Sequence, residues 1–241
     1  MWWPTATSTS ASWARPRRRR RGTDRLKSFW RRKSRLERVW EEREETRYPA
    51  LFGADGEGVF PLGPETFAPF GEAGTPDPRW LTIGVFRFAP TPDRPTWLVV
   101  SSGLSNDWAD EGEPGLGHEL IVETPWRDDD AIRLLHGLVA YDLLIAHGCF
   151  GEPRVLEVGS RVNAPFQFGE RGGIAGVFVA QGRRFSAGFR TEVGPVALLS
   201  CVGAGQDELD FARANRTADL HERLVAAGVD EVTDPERPSV A

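Results

Sequence analysis

Catalysis needs a nucleophile, a base and a group that orients them, and the residues here able to serve are four histidines, two cysteines, some glycine turns and one acidic run. His118-Glu119 lacks the second histidine of a zinc-protease helix, and its alternating apolar neighbours read as a strand. Gly103-Leu104-Ser105-Asn106 lacks the second glycine of a nucleophile elbow, which leaves Ser105 as a turn residue. Gly115-Leu116-Gly117 and Gly203-Ala204-Gly205 lack the third glycine of a dinucleotide fingerprint. His136, His147 and His221 are scattered over helical stretches with no evident carboxylate or cysteine partner, and read as packed or surface histidines. Asp128, Asp129 and Asp130 could hold a hard cation, but contiguous acids splay apart, so the run reads as a helix cap. The expectation is no catalytic residue, no metal site and no cofactor: a binding protein, not an enzyme.

The segment that could carry binding is residues 105–117. It places Trp108 among Asp107, Asp110, Glu111 and Glu113 on a loop containing Gly and Pro. An exposed aromatic ringed by acids can anchor a basic protein partner. Alternatively, Trp108 folds into the core beside Trp97 and the acids only solvate the loop.

These residues depend on the elements around them. Two β-rich runs, residues 79–90 and 95–102, flank a proline-rich turn. A third strand covers residues 117–124, where Leu120 and Val122 face the core while Glu119, Ile121 and Glu123 face a partly wet side. Ile132, Leu135, Leu138, Val139 and Leu143 mark the principal buried helix, ended by Gly148. Residues 154–159, 174–181 and 195–203 supply three more strands, and residues 206–215 and 217–228 two closing helices. This order predicts an α+β fold, a mixed β-sheet sandwich packed with helices, and not a repeating βαβ unit.

Upstream, Leu26, Phe29, Trp30, Leu36, Val39 and Trp40 recur at helical steps and predict an amphipathic helix ending near Glu45, its stripe packed on the body, with Arg43 and Arg47 screening the acids from Glu41 to Glu45 at its end. Prolines and glycines then break up residues 49–79 into an irregular wrap. The reading by segment is an Arg-rich disordered tail at 1–22, the helix and wrap at 23–79, a domain at 80–227 and a flexible tail at 228–241. Residues 1–47 hold 15 Lys and Arg against 6 Asp and Glu, whereas the rest holds 15 against 29, so a basic head precedes an acidic body. The five arginines at 17–21 suit nucleic acid or anionic lipid, or else a solvated tail. With no apolar run of bilayer length and a mean hydropathy of -0.38, the chain reads as soluble, with no membrane partner. Cys149 and Cys201 lack metal-ligand spacing and favour a reducing cytoplasm, a single disulfide between them being the alternative.

WLVVSSGLSNDW, GLGHEL, AIRLLHGLVAYDLLIAHGCF and GPVALLSCVGAGQDEL, in this order, resemble the Suppressor of fused family over about residues 80–227, and RYPALFG at 47–53 extends the likeness. Leu116 and His118 stand where the family usually has aromatics, Ala140 where it has arginine, and Gly182-Arg183-Arg184 where it has an Asp-Pro turn, which marks a divergent member. The resemblance implies a Suppressor of fused-like fold and a protein partner. In eukaryotic members a second domain completes a clamp on a transcription-factor peptide, and that clamp is expected to be missing here. Single-domain bacterial members are thought to be immunity proteins that neutralise toxin domains encoded nearby, so the resemblance implies a toxin as partner, and the acidic body favours a basic one. It further implies that Trp108 and Glu111 fall where family members grip the partner. The competing reading is a regulatory or nucleic-acid-associated protein acting through its arginine head.

Overall fold

The alternating apolar runs fold into one mixed sheet. β1 (Glu57–Pro61), β2 (Gly84–Phe88), β3 (Trp97–Ser102) and β4 (His118–Thr124) form an antiparallel meander. β8 (Gly194–Ala204) lies parallel to β4, then β6 (Gly176–Gln181) and β5 (Arg161–Asn163) follow antiparallel, giving the order β1-β2-β3-β4-β8-β6-β5, while β7 (Phe189–Thr191) pairs with the start of β8. The computed structural model describes residues 33–53, 56–106, 115–163 and 173–241. The 1–22 tail and the first part of the predicted helix lie outside the described residues.

Strand alternation sorts the core into two faces. Val85, Val99, Leu120, Val122, Val179 and Leu199 pack under α3 (Asp129–Ala146), whose Leu135, Leu138 and Val139 are buried, as the stripe predicts. Asp128 caps this helix through the Asp130 N–H, while Asp129 pairs with the buried Arg87 at 2.6 Å and Asp130 pairs with Arg133. On the opposite face Phe88, Leu98, Val100, Ile121 and Leu198 meet Tyr48 and Phe52. There too α4 (Gln206–Ala214) and α5 (Thr217–Ala226) cover Phe178, Ala180, Val202 and Ala204.

Both faces are therefore dry, and this corrects the reading of β4: all seven of its residues are buried, Glu119 and Glu123 included. A helical arm of α1 (Arg35–Glu41), a π-helical turn (Glu42–Arg47) and α2 (Tyr48–Phe52) covers the Glu119 end, and Arg184 with Val232 and Thr233 meets Glu123. The arm runs past the expected end at Glu45, through the π-helical turn and Pro49, and the helix stops at Gly53, whose φ of 82° suits a glycine C-cap.

Three further segments differ from expectation. The wrap at 49–79 contains β1 and three short 3-10 helices. Residues 154–159 form no strand: the Leu156 N–H donates to the Asp142 carboxylate and the Arg154 N–H to the Ile145 carbonyl, so α3 holds this stretch in place of a ladder, and β5 begins at Arg161. Residues 228–241, expected as a flexible tail, lie along the body. Val232 bridges Glu123, the Gly203 N–H donates to Thr233 Oγ1 at 2.8 Å, and Arg237 donates to both oxygens of Glu208 at 2.5 and 2.7 Å. Cys149 is exposed, Cys201 is buried and both are free thiols; burial pushes the Cys201 thiol up. Among the described residues no helix is long and apolar enough to cross a membrane.

Candidate functional site

The arm's stripe of Leu36, Val39 and Trp40 continues one helical step on to a charged residue, Arg43, and Arg43 is wholly buried. The π-helical turn produces this arrangement. The Tyr48 N–H bonds the Arg43 carbonyl five residues back, which brings Arg43 and Tyr48 onto one face over the sheet. Tyr48 Oη donates to the Ser101 carbonyl. Arg43 donates to Ser102 Oγ at 2.9 Å, Ser105 Oγ at 3.2 Å and Asn106 Oδ1 at 2.8 Å. It also stands 3.6 Å from both Glu44 and Glu119, and its Nη2 finds no hydrogen-bond partner among the described residues.

Glu119 is the other centre of this network. It accepts from the Ser101 hydroxyl at 2.5 Å, the Ser105 hydroxyl at 2.6 Å and the N–H groups of Gly103 and Ser105, both at 3.0 Å. It thereby fixes the turn that leads out of β3. The return limb closes on the same turn: the Leu116 N–H donates to the Leu104 carbonyl at 2.7 Å, and a Cβ on Gly115 would fall 2.3 Å from the Asn106 carbonyl oxygen, so only glycine fits. Both ends of the segment from 106 to 115 are thus held together on a rigid base. The residues singled out in the sequence, Asp107, Trp108, Asp110, Glu111 and Glu113, lie in 107–114, outside the described residues.

Beside this base opens a groove of about 380 Å³ between the arm and the β1–β2 edge. Leu36, Trp40 and Val59 form its apolar walls, and Glu44, Ser102 and Asn106 its polar floor. Trp40 is 47% exposed and Val59 51%. Glu44 accepts from the Ser102 hydroxyl and keeps only 10% of its side chain exposed. Burial raises its carboxyl above the ordinary range, against the pull of Ser102, Arg43 and the Trp40 indole.

Sequence reasoning took Arg43 and Arg47 as screens for the acids ending the helix. Arg47 does this, donating to Glu42 at 2.5 Å. Arg43 instead points inward, and its place on the apolar stripe was the available signal. Ser105 is a turn residue as read, but its hydroxyl is tied to a carboxylate and not to a histidine. The histidines stand apart. His118 meets Asp142 at 2.6 Å on the α3 face, His136 Nε2 and His147 Nδ1 meet the carbonyl oxygens of Phe60 and Leu143, and His221 meets Glu231 at 3.0 Å. His221 therefore has the carboxylate partner that its sequence neighbours hid. Burial lowers the His136 pKa. Among the described residues no three His, Cys, Asp or Glu side chains gather as a metal cluster would require.

A profile of Suppressor of fused protein (SUFU) matches residues 79–238. No curated protein matches the chain. Among solved structures, a putative SUFU homologue from Neisseria gonorrhoeae superposes with a TM-score of 0.56 at 17% identity, covering 84% of this chain and 97% of that one. A chain of the Sufu-Fu complex superposes with a TM-score of 0.53 at 18% identity, covering 76% of this chain and 93% of its own length. Drosophila Suppressor of Fused superposes with a TM-score of 0.50 at 20% identity, covering 66% of this chain and 42% of its own. At these identities the superpositions speak for a shared α+β fold, while the profile spans most of the chain, from the 3-10 turn before β2 to the C-terminal strap of residues 228–241 that follows α5, so the chain belongs to the Suppressor of fused family.

Proposed function

We propose that this protein is a non-catalytic binding module of the immunity type, which holds a toxin domain encoded nearby and blocks it in the cytoplasm. One observation carries the reading: the Glu119 and Gly115 contacts bind both ends of the 106–115 segment, so whatever the segment presents is presented from a fixed base. A relative solved as the Sufu-Fu complex supports a protein as the partner. The acidic body supports a basic one, drawn in by long-range attraction.

Within the segment Trp108 supplies apolar contact area, and Glu111 supplies steering and a charge-assisted bond, with Asp107, Asp110 and Glu113 adding to the field. The two roles separate kinetically. Trp108→Ala speeds dissociation of the co-encoded basic partner and costs about 2 kcal/mol of affinity, whereas Glu111→Lys slows association. Only the second effect shrinks with salt, because the Debye length falls from about 10 Å at 0.1 M to about 3 Å at 1 M. Surface-capture rates for both variants at the two salt levels, with melting temperatures beside them, decide the matter. A double variant that binds like the parent, or a Trp108→Ala protein that no longer folds, overturns the assignment.

A further inference from the structure

The groove beside the loop carries more chemistry than an apolar seat. Its floor rests on two carboxylates, Glu44 and Glu119, that share one guanidinium: Arg43 lies 3.6 Å from each and spends its hydrogen bonds on the neutral oxygens of Ser102, Ser105 and Asn106. Glu119 sits in the interior with four donors aimed at it. Glu44 is the one of the pair that reaches the groove; its Oε1 meets Ser102 and Arg43, and the Trp40 indole on the groove wall also bonds its carboxylate. Among the described residues two buried carboxylates face one guanidinium here, an excess of negative charge that a second cation at the open side would offset. The charges on the other walls do not supply it: Arg79 is engaged by Asp77 at 2.7 Å, and Glu37 caps α1 through the Ser34 N–H.

We propose that this groove receives a single arginine or lysine side chain of the protein partner, its charged head on Glu44 and its stem along Trp40 and Val59. This deepens the reading of the domain as a binding module for a basic protein and rests on it. The walls suit such a stem, because Trp40 is a large, half-exposed ring one helical turn before Glu44, where it can take a guanidinium on its face or the methylenes beneath it. The groove would add a second anchor beside the loop, on an element whose position the π-helical turn fixes.

The test needs no partner. Acetyl-Gly-Arg-Gly-amide is titrated into ¹⁵N-labelled full-length protein, and the Trp40 indole N–H signal, identified by its loss in Trp40→Phe, is followed. The neutral citrulline counterpart serves as control. The arginine peptide should shift the signal at least tenfold more strongly at equal concentration than the citrulline peptide. Glu44→Gln, which keeps a group for Ser102 to bond, should weaken the binding at least fivefold. Leu36→Arg, which places a guanidinium in the groove from its own wall, should block it. No shift, equal shifts with the two peptides, or undiminished binding by a folded Glu44→Gln or Leu36→Arg protein overturns the proposal. Failure here leaves the loop's binding rates to stand or fall separately, because the peptide never meets the loop's partner.

Discussion

Arg43 ties the arm to the end of β3 and the turn that follows it, and its three neutral acceptors and two carboxylate neighbours make it costly to lose. Arg43→Ala would strand Ser102, Ser105 and Asn106 and leave Glu119 and Glu44 facing each other without their cation, so unfolding in urea should show a loss of about 3 to 5 kcal/mol at constant m-value. Arg43→Lys keeps the charge but not the planar fork that reaches all three oxygens, and should recover less than half of that loss. A loss of under about 1 kcal/mol for alanine would mean that the network is dispensable. The residues of this site were half legible. Ser105 and Glu119 were visible as a turn and a strand position, but a carboxylate inside a sheet reads as a solvent-side residue until the element that covers it is known. The partner of Glu119 sits 76 positions upstream, by the numbering of the two residues, and no local pattern reveals such a distance.

Element boundaries followed how strongly each segment repeats its pattern. β3, β4, β6, β8 and α3 to α5 fall where apolar periodicity places them, because each buries a long regular face. β1, β5 and β7 are too short for alternation to register, and two of them have three residues each. Residues 154–159 carry the opposite lesson: β-rich composition loses to side-chain and backbone acceptors on α3 that take its N–H groups first. α3 itself is the most heavily buried helix, and Leu138 is 1% exposed near its centre. Leu138→Ala should therefore cost about 2 to 5 kcal/mol in denaturant unfolding, and a cost below about 1 kcal/mol would show that the helix does not anchor the core.

At the scale of the whole molecule, the two chain ends are expected to differ. The first 22 residues carry no apolar periodicity, so their removal should leave the melting temperature unchanged. Removal of residues 228–241 should lower it by several degrees, because the strap bonds β4, β8 and α4. The penalty should also depend on acid. Burial alone would raise the Glu208 carboxyl, but Arg237 and the N–H groups of Val240 and Gly205 outweigh it and hold the pKa below its ordinary value of 4.5. A depressed carboxylate contributes stability above the unfolded pKa and loses it as pH falls through the folded one. The gap in melting temperature between full-length and shortened protein should accordingly narrow as the pH falls below about 4.5. A gap that widened in acid would contradict this account of the Arg237–Glu208 pair. The charge division of the chain and its family were legible at this scale. The strap was not, since its proline and acid content resembles that of a tail and only the tertiary contacts bring it in.

The parallel pairing of β4 with β8 also sets the order in which the protein can be made. The meander from β1 to β4 can close as soon as it leaves the ribosome, yet the far edge of β4, with its Leu120, Ile121 and Val122, stays open until β8 emerges, beginning only at Gly194. For that interval the nascent chain exposes an unpaired apolar strand edge, the feature most prone to join another copy. Slow translation or scarce chaperone over residues 125–204 lengthens that exposure and should lower yield without any change in the finished fold's stability.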